Sequence, residues 1–108
     1  MAIIVNLRYK GTHGAARAFA EEMTVSGTVA RIRSEPGNIR YEYYQSLDDP
    51  ETVLLIDAWV DQAAIDAHHA SPMMATIAGL REKYDLHMTV ERFAEIADNA
   101  ADEAFIRK

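Results

Sequence analysis

Residues 53–60 read VLLIDAWV, an apolar run of one strand's length broken by a single carboxylate. A run that is apolar at both parities suits a strand in the middle of a sheet, with side chains packed on each face. One strand is thereby fixed at a sheet centre, with Asp57 inside it. The chain has 108 residues, enough for one core and too few for two. Everything else must be arranged around this strand.

The flanking patterns supply the neighbours. Residues 2–9 alternate, with Ile3, Val5, Leu7 and Tyr9 pointing one way and Ile4, Asn6 and Arg8 the other. That period predicts a strand with both faces covered. Residues 11–14 break it. A helical pattern runs over 15–33, but Phe19 and Met23 do not share a stripe with Val25, Val29 and Ile32. Gly27 lies between the two sets and predicts a kink or short break. Glu35-Pro36-Gly37 ends the helix and turns the chain. Residues 38–45, rich in tyrosine, have a strand composition, and 46–52 read as a hairpin loop. Asp61 is a good helix N-cap for 62–70. Ser71 and Pro72 restart the helix as cap and first position, with Met73, Ile77, Leu80 and Tyr84 on one face. A last strand is expected over 86–93, with Leu86, Met88 and Val90 on one face.

The order strand, helix, strand, strand, helix, strand is the α+β ferredoxin-like βαββαβ plan, with a four-stranded antiparallel sheet and helices on one face. It spans residues 1–94. Residues 95–108 form an acidic, alanine-rich tail of helical composition, a partner-binding arm or a frayed end. The plan leaves one sheet face bare, although neither face of the first strand is polar. A two-fold dimer packed sheet against sheet is the simplest cover.

Composition narrows the partners. A formal charge of −6, with no run of basic residues, argues against nucleic acid. No apolar run is long enough to cross a membrane. The N-terminus is too short in its apolar part, and lacks the basic start, for a signal peptide. The chain has no cysteine, which removes disulfide and thiol chemistry and suits the cytoplasm. No serine nucleophile motif, dinucleotide fingerprint or phosphate loop is present.

Several of these residues occur together in a known order. Pro36-Gly37, Tyr41, the strand ending Asp57-Ala58-Trp59, and His68-His69-Ala70-Ser71-Pro72 resemble the antibiotic biosynthesis monooxygenase family. The resemblance covers residues 2–94. It implies a small dimeric α/β barrel on the ferredoxin-like plan. It also implies one of several activities: cofactor-free oxygenation of quinol-like aromatics, haem degradation, or an isomerase-like role. Many relatives carry glutamate where this chain has Asp57. The haem-degrading branch has an asparagine on the first strand, a tryptophan and a helix histidine. Asn6 and Trp59 match the first two, but the histidine position falls near Ala78, which cannot bind iron.

Each candidate residue has a chemical and a plain structural reading. His68 and His69 are adjacent, so on a helix they point about 100° apart and cannot share one metal from one face. No dedicated metal site is expected. His68 is a pocket acid/base, or else a histidine capping a helix C-terminus. Asp57 is a base, or else the partner of Arg8 or Arg40. Trp59, on the same strand face as Asp57, is an aromatic wall for a substrate or a core residue. Asn6 binds a substrate hydroxyl or reduced oxygen, or bonds to a neighbouring strand. Tyr41 lies near Asp57 if the hairpin pairs with even register, to bind substrate or to pack. Met73 and Met74 line an adaptable pocket or fill the core. With these residues in those roles, the resemblance implies a cofactor-free monooxygenase taking dioxygen and a small phenol- or quinol-like aromatic. The alternative is a small-molecule binding or isomerase-like stress-response dimer.

Overall fold

The computed structural model describes all 108 residues. Strand β1 (Ile3–Lys10) leads into helices α1 (Ala15–Val25) and α2 (Thr28–Arg33), which are followed by strands β2 (Asn38–Gln45) and β3 (Thr52–Trp59). Helices α3 (Gln62–His69) and α4 (Met73–Lys83) come next, then β4 (His87–Ala94) and a final 3-10 helix (Ala100–Phe105). All strand pairs are antiparallel, in the order β2-β3-β1-β4. The expected ferredoxin-like plan is therefore the one adopted. The apolar strand is internal, as its composition requires.

The helical stretch after β1 does break at Gly27, whose φ of 83° lies in the left-handed region. That break lets the stripe of α1 and the stripe of α2 both reach the core: Phe19 and Met23 from one, Val29 and Ile32 from the other. The core lies between these helices and one face of the sheet, which carries Leu7, Tyr9, Tyr41, Val53, Leu55 and Trp59. Asp61 caps α3 by accepting a hydrogen bond from the Ala64 amide at 2.9 Å. The second restart differs from expectation. Pro72 is itself the cap residue of α4, and the Ser71 hydroxyl is buried without a hydrogen-bond partner. The Ser71 carbonyl, not its side chain, accepts from the Met74 amide.

The opposite sheet face has no helix over it. It presents Ile4, Asn6, Leu54 and Ile56 at its centre, with Arg8–Glu91 and Arg40–Glu42 ion pairs beside them. Edge strand β4 is exposed along its whole length. The tail is exposed too, and only part of it, Ala100–Phe105, is helical. No helix is long and apolar enough to cross a membrane.

Candidate active site

Alternation along four strands places one cross-strand row beneath α3 and α4. Tyr41 on β2 pairs with Asp57 on β3, Asp57 pairs with Val5 on β1, and Val5 pairs with Arg92 on β4. The expected even register of Tyr41 with Asp57 is realised. This row floors a cavity of about 310 Å³. Its apolar walls include Leu7, Leu55, Ile65, Met74, Ile77, Met88 and Val90; His68 and His69 reach it from α3 and Arg81 from α4. A mostly apolar concavity with a few convergent polar groups is the usual form of a small-molecule site.

Asp57 is the group most altered by this setting. Burial pushes its carboxyl up to about 7, and the Glu35 charge adds to the rise. The Trp59 indole N–H, donating to Oδ1 at 2.6 Å, opposes it, as does the Arg81 charge. Desolvation wins because a carboxylate loses more hydration in an apolar cleft than one hydrogen bond returns. Asp57 therefore gains and loses its proton near neutral pH.

His68 is 4% exposed, and its ring stacks on Trp59 with centroids 4.9 Å apart. Its Nδ1 lies 2.8 Å from Glu35 Oε2. An ionised carboxylate only accepts, so Nδ1 carries the hydrogen and Nε2 is left as the basic nitrogen. Burial pushes the imidazole below its ordinary value, against the opposing pull of Glu35. The ring is therefore neutral at pH 7. Tyr41 stands edge-on to His68, and burial raises its phenol well above the ordinary value, so it keeps its proton and can donate.

Glu35 has no strand or helix to hold it; it enters the site through a turn. Gly37, with φ 84°, follows it, and a Cβ there would lie 2.7 Å from Ala64 Cβ and 2.9 Å from Val60 Cγ2. Only glycine permits this approach to α3. The contact brings the turn alongside the helix that carries His68. Glu35 Oε1 is buried with no hydrogen-bond partner, so only one of its oxygens is engaged.

The expected site is thus partly assembled. Asp57, His68, Tyr41 and Met74 line one cavity. Trp59 does not form its wall: it is 1% exposed, and it acts on the cavity through Asp57 and His68. Met73 packs against the core. Asn6 projects from the opposite sheet face, where it pairs with Ile56 and Glu91, and cannot reach the cavity. Its Oδ1 is buried there without a partner. Arg8 and Arg40 lie on that face as well and pair with Glu91 and Glu42, not with Asp57. Glu35, Arg81 and Arg92 join the site unforeseen. Arg81 directs Nε and Nη2 at the Tyr9 hydroxyl, at 3.1 and 2.8 Å. No group of three or more His, Asp or Glu side chains is arranged to hold a metal ion. Ala78, near which the resemblance to the haem-degrading branch would put a histidine, is exposed on α4.

Fold and cavity together define a small α+β protein with a mostly apolar cavity, carrying a few ionisable groups, between helices and sheet. The chain belongs to the antibiotic biosynthesis monooxygenase family, whose model matches residues 2–79. SnoaB, a cofactor-independent oxygenase from Streptomyces nogalater, is 19% identical and superposes with a TM-score of 0.74, over 92% of this chain and 97% of its own. A protein from Deinococcus radiodurans superposes with a TM-score of 0.77 at 17% identity, covering 90% of this chain and 96% of the other. One from Shewanella oneidensis is 26% identical, with a TM-score of 0.71 over 85% and 88% of the two chains. Likeness at this distance is a likeness of fold. No curated protein matches the sequence.

Proposed function

We propose that this protein is a monooxygenase that needs no cofactor and inserts one atom of dioxygen into a small phenol- or quinol-like aromatic. The observation that carries the reading is Asp57, a carboxyl poised to titrate near 7 on the floor of an apolar cavity, beside a neutral His68. Such a pair suits proton abstraction from a hydroxyl at neutral pH. Family membership and the fold shared with SnoaB support oxygen chemistry.

In this reading the aromatic ring lies in the cavity with its hydroxyl toward Asp57, which takes the proton. The phenolate passes one electron to dioxygen, giving a phenoxyl radical and superoxide. The two join at the ring carbon para to the hydroxyl. The peroxide formed takes the proton back from Asp57. Loss of the remaining hydrogen at that carbon, as a proton to His68 Nε2, accompanies O–O cleavage. Hydroxide leaves and is protonated from His68. A phenol and dioxygen become a quinone and water, and both bases return to their starting state. Tyr41, always protonated, donates to the developing oxyanion. Glu35 fixes the His68 tautomer, and Trp59 orients both bases.

A second copy of the chain is the occupant this reading assigns to the bare sheet face. Asn6, with an unpaired buried amide oxygen at the centre of that face, then serves the interface and not the reaction.

The test is oxygen uptake by metal-stripped protein with a panel of phenols and naphthols that carry a hydrogen para to the hydroxyl, against autoxidation. Uptake above the blank that falls in Asp57→Asn and His68→Ala supports the oxygenase. Ligand binding without uptake across the panel would replace it with a binding or isomerase-like role.

A further inference from the structure

The floor of the cavity is polar at both ends and apolar between. Tyr41 and Asp57 occupy one end of the cross-strand row, Val5 the middle and Arg92 the other end. Adjacent strands lie about 4.8 Å apart, so the backbones at Asp57 and Arg92 are separated by about 10 Å. The row is therefore long enough for an aromatic ring system to lie along it with a different substituent at each end.

Neither guanidinium group at the cavity is in an ion pair. The chain's ion pairs engage Arg8, Arg17 and Arg40, but neither Arg81 nor Arg92. Arg81 donates to the neutral Tyr9 hydroxyl, and Arg92 to the neutral side-chain oxygen of Gln62. This occurs in a chain whose formal charge is −6, where carboxylates outnumber cations. The Arg81 charge acts partly on Asp57, whose carboxyl it lowers; Arg92, engaged by no carboxylate, is the guanidinium free to meet an anion at the outer end of the pocket.

We propose that the cavity takes an aromatic hydroxy acid, its hydroxyl at Asp57 and its carboxylate at Arg92. The proposal rests on the reading of the cavity as a hydroxyaryl site and adds the charge of the ligand. Arg92 is the exposed guanidinium at the outer end of the row, where a carboxylate keeps part of its hydration. Arg81, half-buried, adds a second positive charge above the ring.

The test is binding under argon, where no oxygen chemistry can occur. The probes are 6-hydroxy-2-naphthoate and its neutral carboxamide, which share ring and hydroxyl and differ only in charge. Isothermal titration at low salt should find the acid roughly tenfold tighter. Arg92→Gln should remove most of that preference, and Arg92→Lys, which keeps the charge, should retain most of it. Equal or tighter binding of the amide overturns the proposal. So does an unchanged preference in Arg92→Gln, or no binding of either probe. A protein that prefers the acid yet consumes no oxygen loses the oxygenase reading and keeps this one.

Discussion

Trp59 holds Asp57 from two residues further along the same strand face, its indole N–H donating to Oδ1 at 2.6 Å. The bond stabilises the ionised carboxylate, so it works against the burial that raises this group to about 7. Trp59→Phe removes the donor and keeps most of the ring. The carboxyl should rise further, and the acid limb of kcat/KM should move to higher pH by about one unit or more. A limb that stays in place would detach Trp59 from the base.

Asp57 also makes stability depend on pH. Its folded-state value lies above its unfolded value, so the folded state binds the extra proton. The unfavourable contribution is absent below about pH 4, grows through the interval from 4 to 7, and is fully present above 7. Asp57→Asn removes it. The variant should be the more stable protein in urea at pH 8, by a few kcal/mol at most, because each unit is worth about 1.4 kcal/mol. The advantage should vanish toward pH 4. An Asn variant less stable at pH 8 than the parent would contradict a strained carboxylate.

Glu35→Gln separates charge from hydrogen bonding. Glutamine can still accept from Nδ1, but the negative charge that props up the imidazole is gone. The His68 titration followed by NMR should therefore shift to lower pH, because Glu35 is what opposes burial there. A shift upward would mean that the carboxylate does not face the ring in solution.

Gly37→Ala should destabilise the chain by about 1–3 kcal/mol, from the positive φ and the overlap with Ala64 and Val60. A Tm equal to that of the parent would show that the turn has room. Because the turn carries Glu35, the variant should also lower the His68 titration, in the same direction as Glu35→Gln.

The bare sheet face should be buried between two copies. Ile56→Glu, at its centre, should yield a monomer in sedimentation while leaving the cavity side intact. A parent protein that sediments as a monomer would remove the dimer.

How much of this was readable in the residues depends on what fixes them. Strand parity is local, so Asp57, Trp59 and Tyr41 were legible as one face, and the break at Gly27 as a join between two stripes. The same parity already set Asn6, Arg8 and Arg40 on the far side. Asn6 stands out as a polar residue in an apolar strand, yet Ile4, Asn6 and Arg8 alternate with Val5 and so face away from the cavity. Glu35 and His68 lie 33 positions apart and meet only because Gly37 seats on Ala64, a contact between backbone shapes that no local pattern reports. Arg81 lies off the apolar stripe of its helix, so nothing in the local pattern points it to the cavity. Arg92 lies on an exposed edge strand with weak alternation, and its row emerges only when the registers of β1, β3 and β4 are combined.

The turn at Gly37 also divides this protein into parts that can change at different rates. Substitutions along the helices and strands would reshape the cavity and its choice of ligand. The tautomer of the histidine depends instead on one short connection, Ser34 to Asn38, whose length and glycine leave no slack. One residue inserted there would spare the sheet, the cavity and Asp57, yet it would withdraw the carboxylate from the imidazole. Relatives with the same architecture and a different loop at this point would inherit the pocket without its carboxylate–imidazole contact.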